Sequence, residues 1–155
     1  MNNADKLETK TTEAPGAVAG PNRNVLLVDD DKFLLDLYSM KFNKLGYTVQ
    51  SCTTVNDALH VLRNGFSADA IVFDLRMPER DGFSFLQALS AENLGKGAVR
   101  IAITNESDDS IKKKAADLGT DKLIVKAFTI PSEVVDFVAE EIKNNPKIRS
   151  ESKKT

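Results

Sequence analysis

Four apolar runs in this chain end in side chains that carry charge or donate a hydroxyl. Asn24-Val-Leu-Leu-Val28 runs into Asp29-Asp30-Asp31, and Ala70-Ile-Val-Phe73 runs into Asp74. Val99-Arg-Ile-Ala-Ile103 is followed by Thr104-Asn105, and Lys122-Leu-Ile-Val125 by Lys126. Asp29 or Asp30 together with Asp74 would set carboxylates on neighbouring strands. Like charges held that close raise one another's pKa. A hard divalent cation relieves the repulsion, and Mg²⁺ favours a few carboxylates, several waters and phosphate oxygens. Helix capping accounts for one of the acids, Asp31 or Asp30. It does not account for three in a row opposite a fourth.

Asp74 follows Ile71-Val72-Phe73, and Met77-Pro78 breaks the chain soon after. A carboxylate there is exposed at a sheet edge yet backed by apolar residues, and carboxylates can act as nucleophiles toward phosphorus. Phosphoryl transfer depends on positioning and charge neutralisation more than on covalent help. A metal, the Lys126 ammonium and the Thr104 hydroxyl would supply both. Taken singly, each residue has a plainer reading: Asp74 as the start of a turn, Lys126 as a solvated strand-end lysine, Thr104 as a cap or turn residue.

The elements that must position these groups follow from periodicity. Lys32 to Leu45 is a helix, with Leu34, Leu37, Tyr38 and Leu45 at helical spacing and Gly46 stopping it at C′. Tyr47 to Cys52 is a strand. Thr54-Val-Asn-Asp57 opens the next helix in the manner of a capping box, and Asn64-Gly65 ends it. Phe83 to Leu89 is a short helix. Ser107 to Leu118 is another, with Ile111, Ala115 and Leu118 on one face. Pro131 to about Lys143 is the last, with Val134, Phe137, Val138 and Ile142 facing inward. Five strands alternating with five helices imply a parallel sheet covered on both faces. In such folds ligands sit outside the carboxyl ends of the strands, where strand order reverses.

Composition narrows the function classes. The chain has 155 residues, 41% hydrophobic and 28% charged, which fits one globular domain between two polar tails, 1–22 and 146–155. A formal net charge of -2 gives no bulk pull toward nucleic acid or an anionic membrane. The single cysteine, Cys52, rules out an internal disulfide. The single histidine, His60, lies in a helical stretch and leaves no His-Cys zinc cluster. No apolar run is long enough to span a bilayer and no secretory signal pattern is present, so a cytoplasmic location is expected. Lys112-Lys113-Lys114 gives the fourth helix a basic outer face, read as a solvated surface, with a docking surface for an acidic partner as the alternative, and not as a DNA site. A P-loop and a Gly-x-Gly-x-x-Gly fingerprint are both lacking, which argues against a nucleotide-binding enzyme on a similar sheet. An aspartate-nucleophile phosphatase would carry Asp-x-Asp where Arg76 stands.

Val28-Asp29-Asp30-Asp31, Asp74-Leu-Arg-Met-Pro78 with Asp81-Gly82, Thr104, and Val125-Lys126-Ala127-Phe128 stand in the order and spacing of a known family. Over residues 23 to 143 the chain resembles the receiver domain of two-component response regulators. The resemblance implies a flavodoxin-like (βα)5 fold with strand order 2-1-3-4-5 and a domain spanning 23–145. It implies that Asp74 takes a phosphoryl group from a phosphohistidine on a histidine kinase or phosphotransfer protein. It implies Mg²⁺ held by Asp29, Asp30, Asp74 and the Arg76 backbone carbonyl, with Lys126 and Thr104 holding the phosphoryl group. Such a protein is not a conventional enzyme but catalyses its own phosphorylation and dephosphorylation. Its output would pass to a downstream protein through the face of the fourth helix, fifth strand and fifth helix, with no direct nucleic-acid contact and no membrane insertion. The expectation is a stand-alone receiver; a phosphorylation-independent adaptor is the alternative.

Two positions depart from the family pattern. Leu123 stands where Tyr or Phe is common, and Ala127 where proline usually follows the lysine. Neither removes a group needed for phosphorylation; both bear on how the fold reports it. Arg76 and Glu106 each lie two residues beyond a site residue. They are expected to pair across the mouth of the pocket and hinder the hydrolytic water.

Overall fold

In the computed structural model, residues 23–106 and 108–146 are described. The expected tails, apart from Pro146, and the expected helix start at Ser107 lie outside them. Five parallel strands form one sheet: β1 (Asn24–Val28), β2 (Thr48–Cys52), β3 (Ala70–Asp74), β4 (Val99–Thr104) and β5 (Lys122–Val125), in the order β2-β1-β3-β4-β5. The helices between and after them are α1 (Lys32–Lys44), α2 (Val55–Arg63), α3 (Gly82–Glu92), α4 (Asp109–Asp117) and α5 (Pro131–Asn144). This is the doubly wound order expected from the sequence, with its reversal between β1 and β3.

Alternation along the strands divides the core in two. Val25, Leu27, Val72, Ile101 and Ile103 face α1 and α5. Leu26, Val28, Ile71, Phe73 and Ala102 face α2, α3 and α4. Continuous apolar strands are what a sheet covered on both faces requires. No helix among the described residues is long and apolar enough to cross a membrane.

Local chemistry sets the helix ends. Asp31, Thr54, Asp81 and Asp108 are N-caps whose side chains accept from the N–H groups of Leu34, Asp57, Ser84 and Ile111. Gly46, Gly65 and Gly119 have positive φ just past three helix ends. Two expectations need correction. The third helix is longer than Phe83 to Leu89: the Asp81 cap starts it at Gly82, and Ser-Ala-Glu continues it until Asn93 turns left-handed at φ 60°. Phe137 does not face inward but is 37% exposed. Packing turns α5 so that Val134, Val135, Val138 and Ile142 are its buried residues. A short 3₁₀ turn, Lys126–Phe128, follows β5 and was not anticipated.

Candidate phosphoryl-acceptor site

Sheet register brings the acids together. Val28 pairs with Phe73 across β1 and β3, so the next residues, Asp29 and Asp74, become neighbours. Thr104 pairs with Val125 across β4 and β5, so Lys126 emerges one residue beyond it. Asp29, Asp74 and Thr104 are the three buried polar residues of the described chain, at 3%, 6% and 0% exposure. One carboxylate oxygen from each of Asp29, Asp30 and Asp74 lies within 4.8 Å of the others.

Lys126 stabilises this cluster. Its Nζ donates to Asp74 Oδ2 at 2.8 Å and lies 3.1 Å from Asp29 Oδ2. Burial alone would lower its pKa, but the bond to Asp74 and the charges of Asp29 and Asp74 outweigh it and hold the ammonium above its usual range. Burial is also the main force on Asp29 and pushes its carboxyl up, with Asp74 adding to the effect; the N–H of Asp31 and the Lys126 charge oppose it. Asp29 Oδ1 accepts from the Asp31 N–H at 2.9 Å, whereas the buried Oδ2 lies against the Lys126 ammonium at 3.1 Å. Three carboxylates whose oxygens come this close are a donor set suited to a hard cation. Asp31 itself is spent on capping α1, as the plainer reading allowed.

Backbone amides fix the flanks. The Arg76 N–H donates to Asp74 Oδ1 at 3.0 Å, and the Glu106 N–H donates to Thr104 Oγ1 at 3.1 Å. The side chains of these two residues then meet, with Arg76 Nη2 donating to Glu106 Oε2 at 2.6 Å. The expected pairing across the mouth is present. Gly82 packs directly beneath the loop after β3: a Cβ there would lie 2.7 Å from the Asp74 carbonyl oxygen and 2.9 Å from Leu75 Cα. That contact explains why a glycine follows Asp81.

All the singled-out site residues converge on this edge, and one neighbour was missed. Tyr38, read only as a core position of the first helix, lies close enough to feel Lys126, Asp29 and Asp74; burial is the main cause that pushes its phenol up to about 12. Its helical spacing marked it as buried, but nothing local told which strand end it would lie beneath. His60 is exposed, with Asn64 beside its ring, and takes no part. Lys113 pairs with Asp117 and Lys114 lies over the Phe83 ring, so two of the three α4 lysines have local partners. Leu123 packs with Ile111 and Leu118 against the α2–α3–α4 side of the core.

Known proteins are similar to this chain in sequence and fold. The family model described as the response regulator receiver domain matches residues 25–138. The response regulator SaeR of Staphylococcus aureus is 29% identical over 112 residues, covering 72% of this chain and 47% of that protein. The chain therefore spans about half the length of the curated relatives it matches. The receiver domain of the Francisella response regulator 1452 is similar at 28% identity and a TM-score of 0.69, covering 79% of this chain and 98% of that one. A BeF3-activated receiver domain of DrrB is similar at 25% identity and a TM-score of 0.66, covering 78% and 97%.

Proposed function

The chain belongs to the response regulator receiver domain family, and from that premise we propose that Asp74 accepts a phosphoryl group from a phosphohistidine on a partner kinase or phosphotransfer protein. The observation that carries this reading is the Asp74 carboxylate held at 2.8 Å by Lys126, whose ammonium also lies 3.1 Å from Asp29. In the step, a bond forms between an Asp74 carboxylate oxygen and phosphorus. The phosphorus–nitrogen bond breaks, and its electron pair returns to the imidazole. Lys126 steadies the acceptor before transfer and a phosphoryl oxygen after it. Thr104 donates its hydroxyl to a second phosphoryl oxygen.

Asp29, Asp30, Asp74 and the Arg76 carbonyl would hold Mg²⁺, which when bound neutralises charge on the carboxylates and the incoming phosphoryl oxygens. Arg76 covers the mouth and slows hydrolysis of the acyl phosphate. The output surface is the face of α4, β5 and α5, through which a downstream protein would be contacted.

Acetyl phosphate with Mg²⁺ is expected to add one phosphoryl mass to the protein, base-labile and absent from Asp74→Ala. An adduct that survives in Asp74→Ala would sink the assignment, as would no adduct together with no amide shifts on adding beryllofluoride.

A further inference from the structure

Three hydrogen bonds link four residues around the mouth in a chain. Asp74 accepts from the Arg76 N–H at 3.0 Å, Arg76 reaches Glu106 at 2.6 Å, and the Glu106 N–H returns to Thr104 at 3.1 Å. The chain of bonds joins the loop after β3 to the loop after β4. Its side-chain half is exposed, with Arg76 at 69% and Glu106 at 37%, so either partner can leave without opening the core. The bridge engages Nη2 of the guanidinium fork. The rest of the planar fork can take a tetrahedral oxyanion, a geometry guanidinium matches well.

From this we infer that Arg76 is a charge latch: it holds Glu106 while Asp74 is free and changes partner to the phosphoryl group once Asp74 is modified. The inference rests on the acceptor reading above. A phosphoryl group brings close to two negative charges. Arg76, tied through its own N–H to Asp74, stands against that charge, and a dianion draws it more strongly than the single charge of Glu106. Glu106 is repelled by the same group. So are the acids that follow it, the α4 N-cap Asp108 and first-turn Asp109. Thr104 turning toward the phosphoryl group would at the same time loosen the bond from the Glu106 N–H. Both ties on the loop after β4 are released by one event.

The helix that the loop leads into is ready to answer. α4 buries a single residue, Ala115, whereas α2 and α3 each bury four. Leu123, packed like Ile111 and Leu118 against the core, carries no polar group with which to follow Thr104. In this chain the signal therefore leaves the site through the charged pair on the rim. Arg76 is a positioning residue in this scheme, and Glu106 is the group it releases.

Nuclear magnetic resonance of the full chain tests the latch, with Mg²⁺ and beryllofluoride as the phosphoryl mimic. In the wild type, the Arg76 Nε resonance should shift together with the amides of Leu75 and Lys126 and those of 108–118. In Glu106→Gln, which keeps the side-chain shape and removes the charge, the α4 amides of the free protein should already lie at least halfway toward their wild-type beryllofluoride positions. Leu75 and Lys126 should still respond to the mimic. The latch is overturned if the free Glu106→Gln α4 amides stay at wild-type positions. It is equally overturned if Arg76 Nε stays still while Leu75 and Lys126 shift. No shift at Leu75 and Lys126 in the wild type would remove the acceptor reading and the latch with it.

Discussion

The loop that follows Asp74 and the loop that follows Thr104 are held very differently. After Asp74 the chain runs into α3, which buries Gly82, Phe85, Leu86 and Leu89 and rests its first turn on the Asp74 carbonyl. Arg80 ties that loop to Asn56 at the start of α2 and to Ser84. Arg63 grips Glu92 through two hydrogen bonds of 2.7 and 2.6 Å at the far ends of the same two helices. After Thr104 the chain runs into α4, which buries Ala115 alone among the described residues of that helix. Apolar burial is the main source of adhesion, so the first loop is the more firmly held of the two.

The sharpest way to break that comparison is to delete matched side chains. Phe85→Ala should destabilise the protein by about 3–5 kcal/mol in urea unfolding, the usual range for a buried aromatic. Ile111→Ala, only half-buried on α4, should lose about 1 kcal/mol or less. Equal losses would mean α4 is as firmly seated as α3.

Alkaline titration probes the firmly held side at a single buried group. Burial, with a smaller push from Asp57, raises the Cys52 thiol to about 11 from an ordinary value near 9. A folded-state pKa above the unfolded one stabilises fully below the unfolded value and is lost as pH rises through the folded value. Stability should thus be intact below pH 9 and fall by about 1–2 kcal/mol on this account as pH passes 11, allowing for solvent screening. Cys52→Val should flatten that part of the curve. If the fall is the same in the variant, the thiol is not the cause, and the packing of Cys52 beneath α2 is looser than its burial implies.

The smallest expected effect lies on the bridge between the two loops. With Arg76 across the mouth, Arg76→Ala should shorten the lifetime of the acyl phosphate about three- to tenfold, equivalent to roughly 1 kcal/mol of barrier. An unchanged decay, followed by loss of the phosphoryl mass, would show that the rim does not shield the site.

Much of this site is written in local sequence. An apolar run bounded by a helix start marks a buried parallel strand, so Asp29, Asp74, Thr104 and Lys126 could each be placed at a strand end from their own neighbours. Caps at Asp31 and Thr54 and the stop at Gly46 are equally local, because one side chain or one positive φ decides them. What the sequence determined alone is therefore the alternation of elements, the edge at which chemistry gathers, and the set of groups that gather there. Tertiary structure decided the rest. Register across β1 and β3 set Asp29 beside Asp74, and register across β4 and β5 delivered Lys126 to both. Packing rotated α5 to bury Val135 and expose Phe137, brought Tyr38 near the acids, and left Ala115 as the one fully buried residue of α4. Periodicity says that a residue faces inward; only the packing of segments distant in sequence says what it meets there.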